Sequence, residues 1–145
     1  MIKVRKFRPI DLAEFEIRKE DRHRFGGQGK QGILELTELG ESYTMSWDNE
    51  ILAVGGVVFY KPDFGEAWIA CTRLIDMYPM AAFRAVKRLL DNLFDELGLN
   101  RLQATANCDR LKAQVFVEHL GFQREGRLRN YGPNKSDYYM YSRIR

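Results

Sequence analysis

The sequence predicts an α/β (α+β) domain in which a central mixed, largely antiparallel sheet is flanked by helices in the order β-α-(α)-βββ-α-β-α-ββ. Three observations carry this. Between Asp48 and Gly65 turn residues fall at short intervals among apolar or alternating runs, the signature of antiparallel strands joined by tight turns. From Pro79 the apolar period lengthens to three or four residues, which is helical. A length of 145 residues and 17.0 kDa suits one domain, residues 1-145, able to bury about two thirds of its unfolded surface.

"IKVRKF" alternates as a strand, and Pro9 followed by Asp11 suits a stop and an N-cap for a helix through "LAEFEIRKE". Residues 24–32, "RFGGQGKQG", form the most glycine-rich stretch. A Walker loop would need a Gly where Arg24 stands and a Ser or Thr where Gln31 follows Lys30, so nucleotide binding is rejected there. "ILELTELG" leaves room for a further helix. "SYTMSWDN", "EILAVGGVVFYK" and "GEAWIACT" then read as a three-stranded meander with turns at Asp48-Asn49 and Pro62-Asp63-Phe64-Gly65. Gly55 and Gly56 inside its middle strand fit a bulge or tight bend as well as a ligand role.

Met80, Phe83, Val86, Leu90, Leu93 and Leu97 recur at helical spacing, with Arg84, Lys87, Arg88, Asp91, Asp95 and Glu96 on the opposite face. Pro79 fits the first helical position and Gly98 the stop. "RLQATANC" alternates as a strand, "DRLKAQVFVEHL" reads as a shorter helix closed by Gly121, and "REGRLRNYGPNKSDYYMYSRI" as two strands joined by a Gly-Pro-Asn turn. The helix from about Pro79 to Leu97 is expected on one face of the sheet and the helix near Leu111 to Leu120 on the other, with the sheet splaying after Cys71. Phe83, Val86, Leu90 and Leu93 are expected to face the sheet.

Hydrophobic residues at 45% and charged residues at 30% are globular proportions and argue against disordered or fibrous classes. No apolar run approaches the roughly 20 residues that span a bilayer, and "MIKVRKFRPI" lacks the apolar core of a signal peptide; a cytoplasmic protein without membrane contact is expected. Cys71 and Cys108 are too few and too far apart for a disulfide framework or a metal knuckle, so both read as reduced thiols, and no metal site is expected. The net charge of +3 is uneven, because the residues from Arg101 onward carry nine Lys/Arg against four Asp/Glu. Such a basic third can attract nucleic acid or a phosphorylated small molecule, or be a solvated face. Tyr131, Tyr138, Tyr139 and Tyr141 could stack on bases, but a strand with one buried face explains their alternation equally, and nucleic-acid binding is not expected.

The stretch "LGLNRLQATANCDRLKAQVFVEHLGFQREGRLRNY" resembles the C-terminal half of the GNAT family of N-acetyltransferases, with "HLGFQREG" its most specific piece. "EAWIACTRLIDMYPMAAFRAVKRLLDNL" is similar to small phage-encoded GNAT-like proteins of the internal virion protein A type. The resemblance implies acetyl-CoA as cofactor and an amine acceptor, in a bacterial or phage-infected cell or a virion. In the family, backbone N–H groups after the fourth strand and at the following helix N-terminus receive the coenzyme pyrophosphate. Carried onto this sequence, that implies cofactor contacts at Ile69, Ala70, Cys71, Tyr78, Met80, Ala81 and Ala82. The loop keeps its length but places Asp76, Pro79 and Ala81 at the family's polar and small positions. Asp76 would bring a carboxylate near two phosphates, and Pro79 lacks an N–H, changes that Arg73 or Arg84 could offset.

The family's base corresponds to Glu66, which also reads as an exposed turn residue beside Gly65. Its acid position holds Val117, and Phe116 and Val117 read as core. His119 reads as a helix-surface or capping residue. Arg110 and Ala113 replace the residues that would contact the pantetheine arm, for which Asn107 is the substitute; Cys71 reads as a thioester-channel or buried structural thiol. Two functions follow: an N-acetyltransferase acting on an amine, or a degenerate GNAT scaffold serving as a phage virion or host-interaction protein. A protein partner and a homodimer stay open.

Overall fold

Two residues in left-handed backbone, Asp48 at φ 48° and Asn49 at φ 68°, close the first hairpin of the protein, whose computed structural model describes residues 1–25 and 29–145. Side chains are described outside 23–28. The glycine-rich positions 26–28 of the rejected nucleotide loop lie outside the described residues.

The elements are β1 (Ile2–Lys6), α1 (Lys30–Thr37), β2 (Gly40–Trp47), β3 (Glu50–Lys61), β4 (Phe64–Cys71), α2 (Pro79–Glu96), β5 (Arg101–Asn107), α3 (Leu111–His119), β6 (Gln123–Leu128) and β7 (Tyr138–Ile144). They form a seven-stranded sheet ordered β1-β2-β3-β4-β5-β7-β6. The pairs β1/β2, β2/β3, β5/β7 and β6/β7 are antiparallel. β4 and β5 pair in parallel, Phe64–Glu66 against Arg101–Gln103. No helix among the described residues is long and apolar enough to cross a membrane. The chain divides into two compact units, Met1–Val58 with Trp68–Ala85, and Phe59–Ala67 with Val86–Arg145.

In the first unit the expected helix after Asp11 is replaced by 3-10 turns at Pro9–Leu12 and Lys19–Phe25. Asp11 is not simply a cap. It is 5% exposed and accepts both arms of the Arg5 guanidinium at 2.7 and 2.8 Å, the Thr44 hydroxyl at 2.7 Å and the Arg8 N–H at 2.9 Å. Arg5 first, then Thr44 and the Arg8 amide, hold the Asp11 carboxyl far below the usual carboxylate range against the opposing effect of burial. Leu12, Phe15 and Ile17 then enter a core with Ile33, Val54, Val58, Trp68 and Ala70, a spacing that an irregular segment meets and a helix does not. Gly55 and Gly56 are explained by close approach. A Cβ on Gly55 would lie 2.6 Å from the Trp68 carbonyl oxygen, and one on Gly56 would run into that of Glu41.

In the second unit Leu99, Leu102 and Tyr141 are fully buried, with Ala104, Ala106, Val117, Leu120 and Phe122 around them in the core. Leu90, Leu93 and Phe94 are the buried apolar residues of the α2 segment here. Of the expected stripe, Phe83 and Val86 are half-buried, while Met80 at the helix start is 60% exposed. Tyr139, Tyr141 and Arg143 share one side of β7 because side chains alternate along a strand. Tyr141 Oη donates to Glu118 of α3 at 2.8 Å, and Arg143 Nη1 to Asp91 of α2 at 2.8 Å. The second half of α2 and α3 therefore meet the same side of β7, not opposite sides as the sequence suggested. Arg143 joins them, its guanidinium 4.9 Å from the Phe94 ring and 6.0 Å from that of Phe122.

Candidate functional site

In the first unit β4 ends at Cys71 and a 3-10 turn, Arg73–Met77, leads to α2. Thr72 fixes the start of this loop, its N–H bonding to the Leu52 carbonyl at 2.9 Å and its hydroxyl to that of Ile51 at 2.9 Å. Tyr78 fixes the other end, its ring stacked on Trp47 with centroids 4.1 Å apart. The first N–H groups of a helix have no partner within it. Pro79 has none to offer, and Ala82 N–H bonds to the Tyr78 carbonyl at 2.9 Å. Met80 and Ala81 are left as the free backbone donors of the helix start among the described residues. Met80 is exposed, Ala81 half-buried and Ala82 buried.

Asp76 has a cation against it. Arg18 Nη1 donates to it at 3.0 Å, while Arg18 Nε donates to Asp21 at 3.0 Å. Neither Arg73 nor Arg84 supplies this contact. Burial pulls the Arg18 guanidinium down, but Cys71, Asp21 and Asp76 more than offset it, so its proton is held more firmly than usual. Asp21, 2% exposed, also accepts the Cys71 N–H at 3.0 Å, and the Cys71 carbonyl accepts the Arg18 N–H at 2.8 Å. Of the three β4 positions expected to meet a cofactor, Cys71 thus has both backbone groups engaged, Ala70 is fully buried, and Ile69 is half-buried.

In the second unit Glu66 lies near the start of β4. Its Oε1 accepts from Gln103 Nε2 at 2.6 Å and from the Tyr60 hydroxyl at 3.4 Å. Gln103 is oriented by Arg101, whose Nε donates to Gln103 Oε1 at 3.0 Å. Arg101 in turn clamps Glu125 through two bonds at 2.6 and 3.0 Å, and Glu125 also accepts from Ser142 Oγ at 2.6 Å. The Arg101 fork, then Ser142, pulls the Glu125 carboxyl down to about 2. Burial, then the Glu66 carboxylate and Tyr131, push the Tyr60 hydroxyl above its ordinary value, so it stays protonated.

Asn107 turns back on its own loop. Its Oδ1 accepts the Asp109 N–H at 2.8 Å, and its carbonyl accepts from Gln114 Nε2 at 3.0 Å. Val117, at the position expected to carry an acid, is buried in the core. Arg18, Asp21, Tyr60 and Gln103 were absent from the sequence reading. "EIRKEDRHR" looks like a solvated charge run, and Gln103 is one polar residue of an alternating strand; neither carries a local signal of its partners.

This architecture defines a class. No family profile matches the chain. Among solved structures it is similar over 99% of its length to Ard1 from Thermoplasma volcanium, with a TM-score of 0.79, 17% identity and 97% of that chain covered. It is likewise similar over 99% of its length to a GNAT-family acetyltransferase from Bacillus anthracis, with a TM-score of 0.78, 17% identity and 94% of that chain covered. The IAA acetyltransferase of Bacillus cereus aligns over 100% of both chains with a TM-score of 0.76 and 11% identity. The protein has the GNAT acetyltransferase fold. In sequence, 67 residues are 36% identical to the uncharacterized N-acetyltransferase p20 of Bacillus licheniformis, a match spanning 44% of this chain and 38% of that protein.

Proposed function

We propose that residues 1–145 form one acetyltransferase domain that moves an acetyl group from acetyl-CoA to an amine. The single observation that carries this is the start of α2, where the N–H groups of Met80 and Ala81 stand free at the positive end of an 18-residue helix. The free amides there suit a diphosphate, and the one carboxylate of the loop is drawn toward Arg18, which it shares with Asp21. When bound, acetyl-CoA supplies an acyl group activated as a thioester. The Met80 and Ala81 amides would hold its phosphates, with Tyr78 and Ala82 beside them and Ile69 and Ala70 in the strand that leads to the loop. Asn107 remains the proposed contact to the pantetheine arm, through the amide end that its own loop does not use.

Glu66 is the proposed base. An amine is protonated at neutral pH and must lose a proton to attack a carbonyl, and a half-buried carboxylate fixed by Gln103 and Tyr60 can receive it. A cytoplasmic setting accompanies this reading. The test is a calorimetric titration with acetyl-CoA followed by transfer assays on amines. Binding near one equivalent supports the reading.

The engaged backbone of Cys71 favours a second reading, in which the fold persists as a phage-type scaffold that meets a protein partner or its own copy without turnover. Undetectable coenzyme binding selects it.

A further inference from the structure

α3 turns a polar side chain inward and apolar ones outward. Gln114 is 6% exposed, its Nε2 donating to the Asn107 and Cys108 carbonyls at 3.0 and 2.9 Å and its Oε1 accepting from Arg124 at 3.3 Å. Leu111 and Val115, one turn apart, are 71% and 40% exposed. A helix that meets only its own core does the reverse. One exposed apolar side chain on a surface is ordinary, but two stacked on one face ask what covers them.

The exposed residues of α3 are Leu111, Lys112, Val115, Glu118 and His119. Residues three and four apart share a helix face, so these form one stripe. The stripe is symmetric about Val115, with Lys112 and Glu118 three residues to either side of it and Leu111 and His119 four. Its charges are opposite across that centre, a cation toward the start of the helix and a carboxylate toward the end. Lys112 makes no ion pair among the described residues. Glu118 accepts from Tyr141 and Arg124 through Oε2 alone, at 2.8 and 3.4 Å, so Oε1 keeps its accepting capacity.

We propose that the outer face of α3 docks on the same face of a second copy of this chain, the two helices antiparallel about a two-fold axis at Val115. The charge pattern selects this occupant. Antiparallel pairing sets each Lys112 against the Glu118 of the other copy, twice over, whereas parallel pairing would set like charges together. Val115 meets its own copy at the centre and Leu111 covers the His119 end, an apolar middle with a charged rim. The opposed helix dipoles add to the attraction. A nine-residue helix offers less surface than the roughly 800 Å² per partner of a stable interface, so the dimer is weak and forms with concentration. Nothing in the contact requires acetyl-CoA, and it stands or falls apart from the acetyltransferase reading.

The experiment is sedimentation velocity on the whole chain from about 10 μM to about 1 mM, where weak contacts associate. The parent is expected to pass from monomer to dimer over that range. Leu111→Glu and Lys112→Glu are each expected to raise the dissociation constant about tenfold, or about 1.4 kcal/mol, and unchanged melting curves at low concentration show that both fold. A second measurement places the axis. Under diamide, which takes up the two electrons and two protons that a pair of thiols loses, Val115→Cys is expected to form a disulfide-linked dimer faster than Glu96→Cys, an exposed position at the end of α2. A cysteine on the axis faces its own copy within disulfide reach, and the parent, with Cys71 and Cys108, gives the background. A parent that stays monomeric over the whole range overturns the proposal. So does a dimer indifferent to both substitutions, or crosslinking of Val115→Cys no faster than that of Glu96→Cys.

Discussion

Arg18 bridges Asp21 and Asp76, reaching each carboxylate at 3.0 Å, although Asp21 is buried and Asp76 exposed. One guanidinium between two carboxylates leaves this cluster with a negative charge in excess. Removing either end of the bridge should move anion affinity in opposite directions. Asp76→Asn removes that excess negative charge and is expected to tighten acetyl-CoA; Arg18→Gln removes the one cation of the cluster and is expected to weaken it. Both effects should shrink as salt rises from about 0.1 to about 1 M, where the screening length falls from about 10 to about 3 Å. Titrations at the two salt concentrations check this, and equal affinities in parent and both variants would remove the loop from coenzyme binding.

The stability costs of these two changes should differ. Asp76 is exposed, so Asp76→Asn is expected to cost below about 1 kcal/mol. Arg18→Gln removes the cation beside the buried Asp21 carboxylate and is expected to cost about 3 kcal/mol. Denaturant melts of the two variants measure the difference.

Asp11 predicts the acid limb of the stability curve. Its folded pKa lies below the unfolded value of about 3.9, so its stabilisation is complete above about pH 5 and is lost as pH falls through about 4 toward the folded value. Asp11→Asn, which does not titrate, is expected to be less stable at neutral pH and to lose less between pH 6 and pH 3 than the parent. Melting temperatures across that range check it; parallel curves would show that Asp11 titrates alike in both states.

Much of the fold is legible because it is local. The Asp48-Asn49 turn, the span of β3, and α2 between Pro79 and Gly98 are set by residues next to one another, and Gly98 adopts the left-handed φ of 61° that its stop position requires. What escaped the sequence is long-range. Asp11 reads as a helix cap until Thr44, 33 residues away, donates to it. Arg18 meets Asp76 across 58 residues and Gln103 meets Glu66 across 37. Charged residues look alike in sequence whether they are solvated or paired, so the polar half of the candidate site was the least readable.

The apolar stripe of α2 is redefined by burial. Leu90→Ala is expected to cost about 2 to 5 kcal/mol and Phe94→Ala about 3 to 5. Met80→Ala, at an exposed position, should stay within about 0.5 kcal/mol. Denaturant midpoints order the three, and a Met80 effect equal to that of Leu90 would contradict the assignment.

Gly56→Ala forces a Cβ into the Glu41 carbonyl, and backbone on the neighbouring strand cannot yield as a flexible side chain can. A loss above about 2 kcal/mol is expected. A Cβ on Gly126 would meet nothing within 4 Å, so Gly126→Ala serves as the control and should be near neutral. Thermal melts of the pair give the comparison.

The two compact units change hands three times along the chain, between residues 58 and 59, 67 and 68, and 85 and 86. Each crossing falls inside β3, β4 or α2, whereas separable domains exchange chain through loose, solvated linkers. Neither unit can be excised as one contiguous fragment, and proteolysis at any loop would cut within a unit rather than between them.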